Sequence, residues 1–143
     1  MELREFHALV GETIMYCQVI ERDVKIIYAA MSGGDMEREL RGLEREKLTF
    51  GETVHELRIL DRVRGAAYFT DEDYDYLMQA AETRNHWCHE AYLRFAFDKA
   101  FTRSRAFAEE SERLLRDHDR LGRLCRAFTD VRLRVLRDFG ILP

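Results

Sequence analysis

The side chains of this 143-residue chain that can do chemistry crowd into Thr83-Arg84-Asn85-His86-Trp87-Cys88-His89-Glu90-Ala91-Tyr92. On an ideal helix Asn85 and His89, four residues apart, share a face, so the amide can hold one imidazole nitrogen and fix its tautomer. Arg84 is five residues from His89, which at about 100° per residue sets it about 140° round the helix. The two converge only through the long arginine stem, a break in the helix or a second subunit. An always-cationic guanidinium fork beside an imidazole that titrates near neutrality suits phosphodiester chemistry. The arginine neutralises the oxygens of a phosphorane while the histidine moves protons, and neither metal nor cofactor is required. In the plainer reading of the same residues, Arg84 forms a surface ion pair, His86 is solvated and His89 is a hydrogen-bonded core histidine.

The pattern R-N-x-x-x-H, read as Arg84, Asn85 and His89, resembles the signature of the HEPN superfamily, in which an Arg, the polar residue after it and a His form the active site of metal-independent endoribonucleases. Upstream, Leu48-Thr49-Phe50-Gly51-Glu52-Thr53-Val54-His55-Glu56-Leu57 is similar to the L-T-x-G-x-x-I-x-x-L type of stretch that precedes the motif in several HEPN branches. The resemblance covers residues 48 to 98. It implies a helical bundle that dimerises through the motif face, so that two copies line one cleft. It also implies a toxin or phage-defence endoribonuclease that cuts single-stranded RNA and is held in check by a partner antitoxin.

Attack of a ribose 2′-hydroxyl on its own phosphate needs a base for that proton and an acid for the departing 5′-oxygen, and both roles fall to His89. Arg84 would bind the non-bridging oxygens through its fork, and Asn85 would orient His89 or contact the phosphate. His86, Tyr92 and Arg94 are the candidates for further substrate contact. The alternative is a catalytically silent HEPN-like bundle acting as an RNA- or protein-binding module; an intact Arg84, Asn85 and His89 favours catalysis. One departure is plain. HEPN toxins paired with minimal nucleotidyltransferase antitoxins carry a Tyr two residues after the motif His, where this chain has Ala91; Tyr92 stands one residue later, on another face.

A metal site is the rival for the same stretch, since His86 and His89 lie on adjacent turns beside Cys88 and Glu90. The spacing matches neither H-E-x-x-H nor the paired E-x-x-H of a di-iron bundle, and no second His/Cys cluster supplies further ligands. His7, His55 and His118 are scattered and read as surface residues. Without G-x-G-x-x-G, P-loop or nucleophile elbow, nucleotide-dependent and serine-hydrolase chemistries are not indicated.

The elements that must position these residues are helices. The only proline is Pro143, and charged residues make up 35% of the chain, a balance that favours helix over sheet. An all-α, up-and-down bundle of four to five helices in one domain over residues 1–143 is expected. No apolar run reaches a membrane span and no signal-peptide pattern opens the chain, so a cytoplasmic protein without membrane contact is expected. Cys17, Cys88 and Cys125 are far apart and read as reduced thiols. Residues 99–143 hold eleven Lys/Arg against seven Asp/Glu, leaving twelve against twenty for the rest. That basic segment reads as a backbone-binding surface or as a helix face laced with ion pairs.

Leu3, Val10, Cys17, Val24 and Met31 recur at seven, with Phe6, Ile20 and Ile27 at the offset positions, which predicts one helix over residues 2–31. Gly33-Gly34 ends it, and Asp35 caps a short helix through Lys47. Thr49 and Glu52 form a capping box for a third helix with Val54, Leu57, Ile59, Leu60 and Val63 on its apolar face, ended by Gly65. Thr70 caps the motif helix, 71–98, and the rings Tyr74, Trp87, Tyr92, Phe95, Phe97 and Phe101 are mostly read as core, with one of them able to stack on a base. Phe107, Leu114, Leu121, Phe128 and Val135 mark a last helix over 104–139.

Overall fold

The computed structural model describes residues 1–95 and 97–143. Five α-helices and no strand are found among them. Helix α1 (Leu3–Met31) is the spine: Phe6, Val10, Cys17, Ile20, Val24, Ile27 and Met31 are all buried, as the seven-residue recurrence requires. Gly33, at φ 73°, reverses the chain. Asp35 then accepts the Glu37 and Arg38 N–H groups at 3.0 and 3.3 Å to start α2 (Met36–Glu46).

Thr49 and Glu52 close the capping box that starts α3 (Phe50–Val63). Its buried stripe is Phe50, Thr53, Val54, Leu57 and Asp61, whereas Ile59 and Val63 are exposed. The expected apolar face was too wide, because α3 is covered only on the side toward α1 and α4. Fully buried Asp61 instead accepts from the Tyr68 N–H at 2.8 Å, the Phe69 N–H at 3.2 Å and the Tyr74 hydroxyl at 2.8 Å. This clasp fixes the connection into α4 (Asp71–Asn85), which Thr70 and Asp73 cap reciprocally. Ser104 caps α5 (Arg105–Asp138), in which Phe107, Leu114, Leu121, Phe128 and Val135 are buried.

Side-chain pairs give the helix directions. Glu12 meets His118 and Asp23 meets Thr129, so α1 and α5 run parallel. Tyr68, just before α4, meets Asp138, and Trp87, just after it, meets Asp117, so α4 runs against α5. Arg64 reaches back to the Met31 carbonyl while Arg58 and Arg62 meet Asp71, placing α3 with α1 and against α4. Arg22 pairs with Glu44 across the reversed α2. The bundle is therefore up-and-down. At one end Phe6, Val10, Trp87, Ala91, Phe95, Phe107 and Leu114 form a separate aromatic cluster, and the motif is built over it. No helix among the described residues is long and apolar enough to cross a membrane.

Candidate active site

Helix α4 changes pitch inside the motif. The Ala91 N–H bonds to the His86 carbonyl at 3.0 Å, five residues back, and His86–Glu90 form a π-turn. In such a turn residues i and i+5 come about one turn apart, and widened turns of this kind recur at functional sites. Most of the path from Arg84 to His89 runs through this turn, which narrows the angle that an ideal α-helix sets between them. Beyond Glu90 the helix does not continue to residue 98 as expected. The Leu93 and Phe95 N–H groups bond three residues back instead, at 3.0 and 3.2 Å, and the chain curls so that Phe95 reaches Phe6 and Phe107.

The turn is shaped by what it buries. Trp87 sits edge-on to Phe6, ring centroids 6.1 Å apart, and donates its indole N–H to Asp117 at 3.0 Å. Its neighbour His86 also points inward, Nε2 lying 2.8 Å from Glu110 Oε2. The other Glu110 oxygen accepts from Arg94 at 2.7 Å, and Arg94 also donates to Glu109 at 3.1 Å. Burial pushes the Glu110 carboxyl up, but the hydrogen bonds from Arg94 and His86 outweigh it and hold the group below the usual glutamate range. Tyr92 packs against Phe6 and Phe95, and burial pushes its phenol up. Thus His86, Tyr92 and Arg94, the candidates for further substrate contact, are all engaged in clamping the motif to α1 and α5.

Arg84, Asn85 and His89 take no part in this clamp. Asn85 and His89 are exposed, and Asn85 makes no capping hydrogen bond to the turn that follows it. Arg84 is half-buried, with Nη1 3.6 Å from Glu21 Oε2, while Glu21 also binds Lys25 at 3.0 Å. Among the described residues this shared carboxylate is its one charged partner, which leaves most of the fork's donors open. The two histidines have exchanged the places of the plainer reading: His86 is the buried one and His89 the exposed one. Cys17 lies near Arg84 and Cys88, where burial pushes its thiol up to about 12, and Cys88 is exposed on the turn.

Beside Arg84 and Asn85 opens a depression of about 240 Å³, whose far wall is Thr49, Phe50 and Gly51 at the start of α3. The two stretches that carried the sequence resemblance therefore meet in space. The pitch change, the Glu110 clamp and Glu82 in the lining of this depression were not foreseen from sequence, and only the acidic residues interleaved in the last helix hinted at the clamp. Those same residues take up much of the positive charge of α5, through Arg105–Glu109, Arg113–Asp117, Arg116–Glu112 and Arg123–Asp119 pairs. Compared with protein-family models, curated proteins and solved structures, the chain matches none.

Proposed function

We propose that this protein is a HEPN-like, metal-independent endoribonuclease of toxin or phage-defence type, a cytoplasmic homodimer that cuts single-stranded RNA and is restrained by a partner antitoxin. The observation that supports this is that Asn85 and His89 are exposed and Arg84 half-buried at a widened helical turn whose neighbouring residues are fastened to the core. A rigid platform with an exposed imidazole and an incompletely paired guanidinium is what transesterification needs, because positioning supplies much of the rate. His89 takes the 2′-hydroxyl proton and returns one to the departing 5′-oxygen, and Arg84 gathers the negative charge of the phosphorane.

The test is incubation of the purified protein with total RNA, with and without EDTA, followed by analysis of the product ends. Cleavage that persists in EDTA and leaves 2′,3′-cyclic phosphate is expected, because the nucleophile is internal. Cleavage that vanishes in EDTA, or 3′-hydroxyl and 5′-phosphate ends, would point to water activated by a metal and overturn the proposal.

A further inference from the structure

The depression beside Arg84 has no part in the chemistry assigned above. We infer that it receives the nucleobase next to the scissile phosphate and selects bases that carry an exocyclic amine. This rests on the endoribonuclease reading of the same site. At about 240 Å³ the space is below the roughly 300–1,000 Å³ of drug-sized sites, so it takes one heteroaromatic ring rather than a dinucleotide. Its floor is apolar, formed by buried Phe50 and Ala81, with the half-exposed Met78 thioether beside it as an adaptable contact for a flat ring. Gly51 keeps the wall bare: a Cβ there would already stand 3.6 Å from the Met78 terminal methyl, so a branched side chain would occupy the space the ring needs.

The polar side chains of the lining, Arg84, Glu82 and Asn85, differ in charge, and the guanidinium suits the phosphate while the other two suit a base. A carboxylate only accepts hydrogen bonds and repels a phosphate, so Glu82 suits an amine rather than the backbone. Cytosine, adenine and guanine each offer an N–H₂ group, whereas uracil offers a single N–H flanked by two carbonyl oxygens, which a carboxylate at Glu82 opposes. Sites built around a hydrogen-bonding group reject analogues that leave it unpaired.

The experiment is cleavage of a randomised single-stranded RNA pool, with the product ends sequenced, by wild type, Glu82→Gln and Gly51→Val. Wild type should disfavour uracil at one flanking position by about tenfold or more, the scale of one unmade hydrogen bond to a charged group. Glu82→Gln, whose amide can donate to a uracil carbonyl, should bring that discrimination down several-fold. Gly51→Val should slow cleavage at preferred sites most, with its melting temperature checked to show that it folds. Cleavage without base preference, or a preference unchanged in Glu82→Gln, would overturn the inference while leaving the nuclease reading intact. Should no RNA be cut, that reading fails, and titration of the wild-type protein with CMP and with UMP, followed by NMR, still decides the pocket. Shifts at Gly51, Met78 and Glu82 with CMP and weaker ones with UMP support it; equal shifts, or none, refute it.

Discussion

His86 Nε2 lies 2.8 Å from Glu110 Oε2 inside the bundle, while His89, three residues later, is exposed. The pair sets which histidine of the motif is buried and which is open to solvent. With its ring held between Glu110 and Trp87, His86 fastens the π-turn to α5, and His89, like Asn85, stays exposed. The acid–base candidate thus owes its exposure to its neighbour's burial.

Glu110→Ala would leave the His86 ring without its acceptor and the Arg94 fork short of one. Removing one partner of a buried pair typically costs about 3–5 kcal/mol, and because Arg94 can turn to water the lower end is expected here. Urea unfolding should show this loss. The pH dependence has a definite sign. The folded-state carboxyl lies below its ordinary value of 4.5, so its stabilisation is fully present above that value and fades as the pH falls through the lowered one. The stability gap between wild type and Glu110→Gln should therefore narrow in melts run below pH 4.5.

Asp61 offers a second test, remote from the site. Its carboxylate is fully buried and accepts three hydrogen bonds from the segment that leads into α4. Asp61→Ala would strand those donors, at about 1–3 kcal/mol for each that water cannot reach. A loss on the order of 3 kcal/mol in chemical denaturation is expected. A loss below about 0.5 kcal/mol, typical of an exposed site, would show that the clasp is not what fixes this connection.

These two clasps mark the limit of what the sequence discloses. The seven-residue recurrences in α1 and α5, and the caps at Asp35, Thr49 and Thr70, are local signals, and the helices follow them closely. Ile59 and Val63 fit the apolar pattern, yet they are exposed because no partner covers that flank of α3. The change of pitch at His86 has no glycine or proline to announce it. It arises from Trp87 reaching Asp117 and His86 reaching Glu110, contacts made across the bundle, which periodicity along one segment cannot reveal. The two stretches that meet beside Arg84 were legible as separate patterns; only the antiparallel packing of α3 on α4 joins them.

Within the motif, the exposure of His89 makes its substitution informative. His89→Ala should lower RNA cleavage by about 10²–10⁴, the usual worth of general acid–base catalysis, while shifting stability by no more than about 0.5 kcal/mol. Arg84→Lys should lose about tenfold or more despite keeping its charge, because an ammonium cannot make two parallel bonds to a phosphate. Asn85→Ala should do less harm than either. Single-turnover cleavage of one defined RNA, with melting curves for each variant, ranks the three. Full activity in His89→Ala would remove His89 from the mechanism.

The last prediction concerns the two copies. If the cleft is formed across a twofold axis, Arg84 of one protomer and His89 of its partner act on the same phosphate, and each dimer holds two such composite sites. Arg84→Ala and His89→Ala homodimers would then each lack one component in both sites. A heterodimer of the two variants keeps one complete site and has one that lacks both components. Random exchange makes half of the dimers heterodimers, so a mixture of equal parts of the two inactive proteins should recover about a quarter of wild-type activity. The measurement is cleavage after the two proteins are unfolded together and refolded as a mixture, compared with the same proteins refolded apart and then combined at a temperature where subunits do not exchange. Recovery only in the first case places the two residues in one shared site. No recovery in either, with dimers present by analytical ultracentrifugation, would mean that each protomer carries its own complete site and that the widened turn alone brings Arg84 and His89 together.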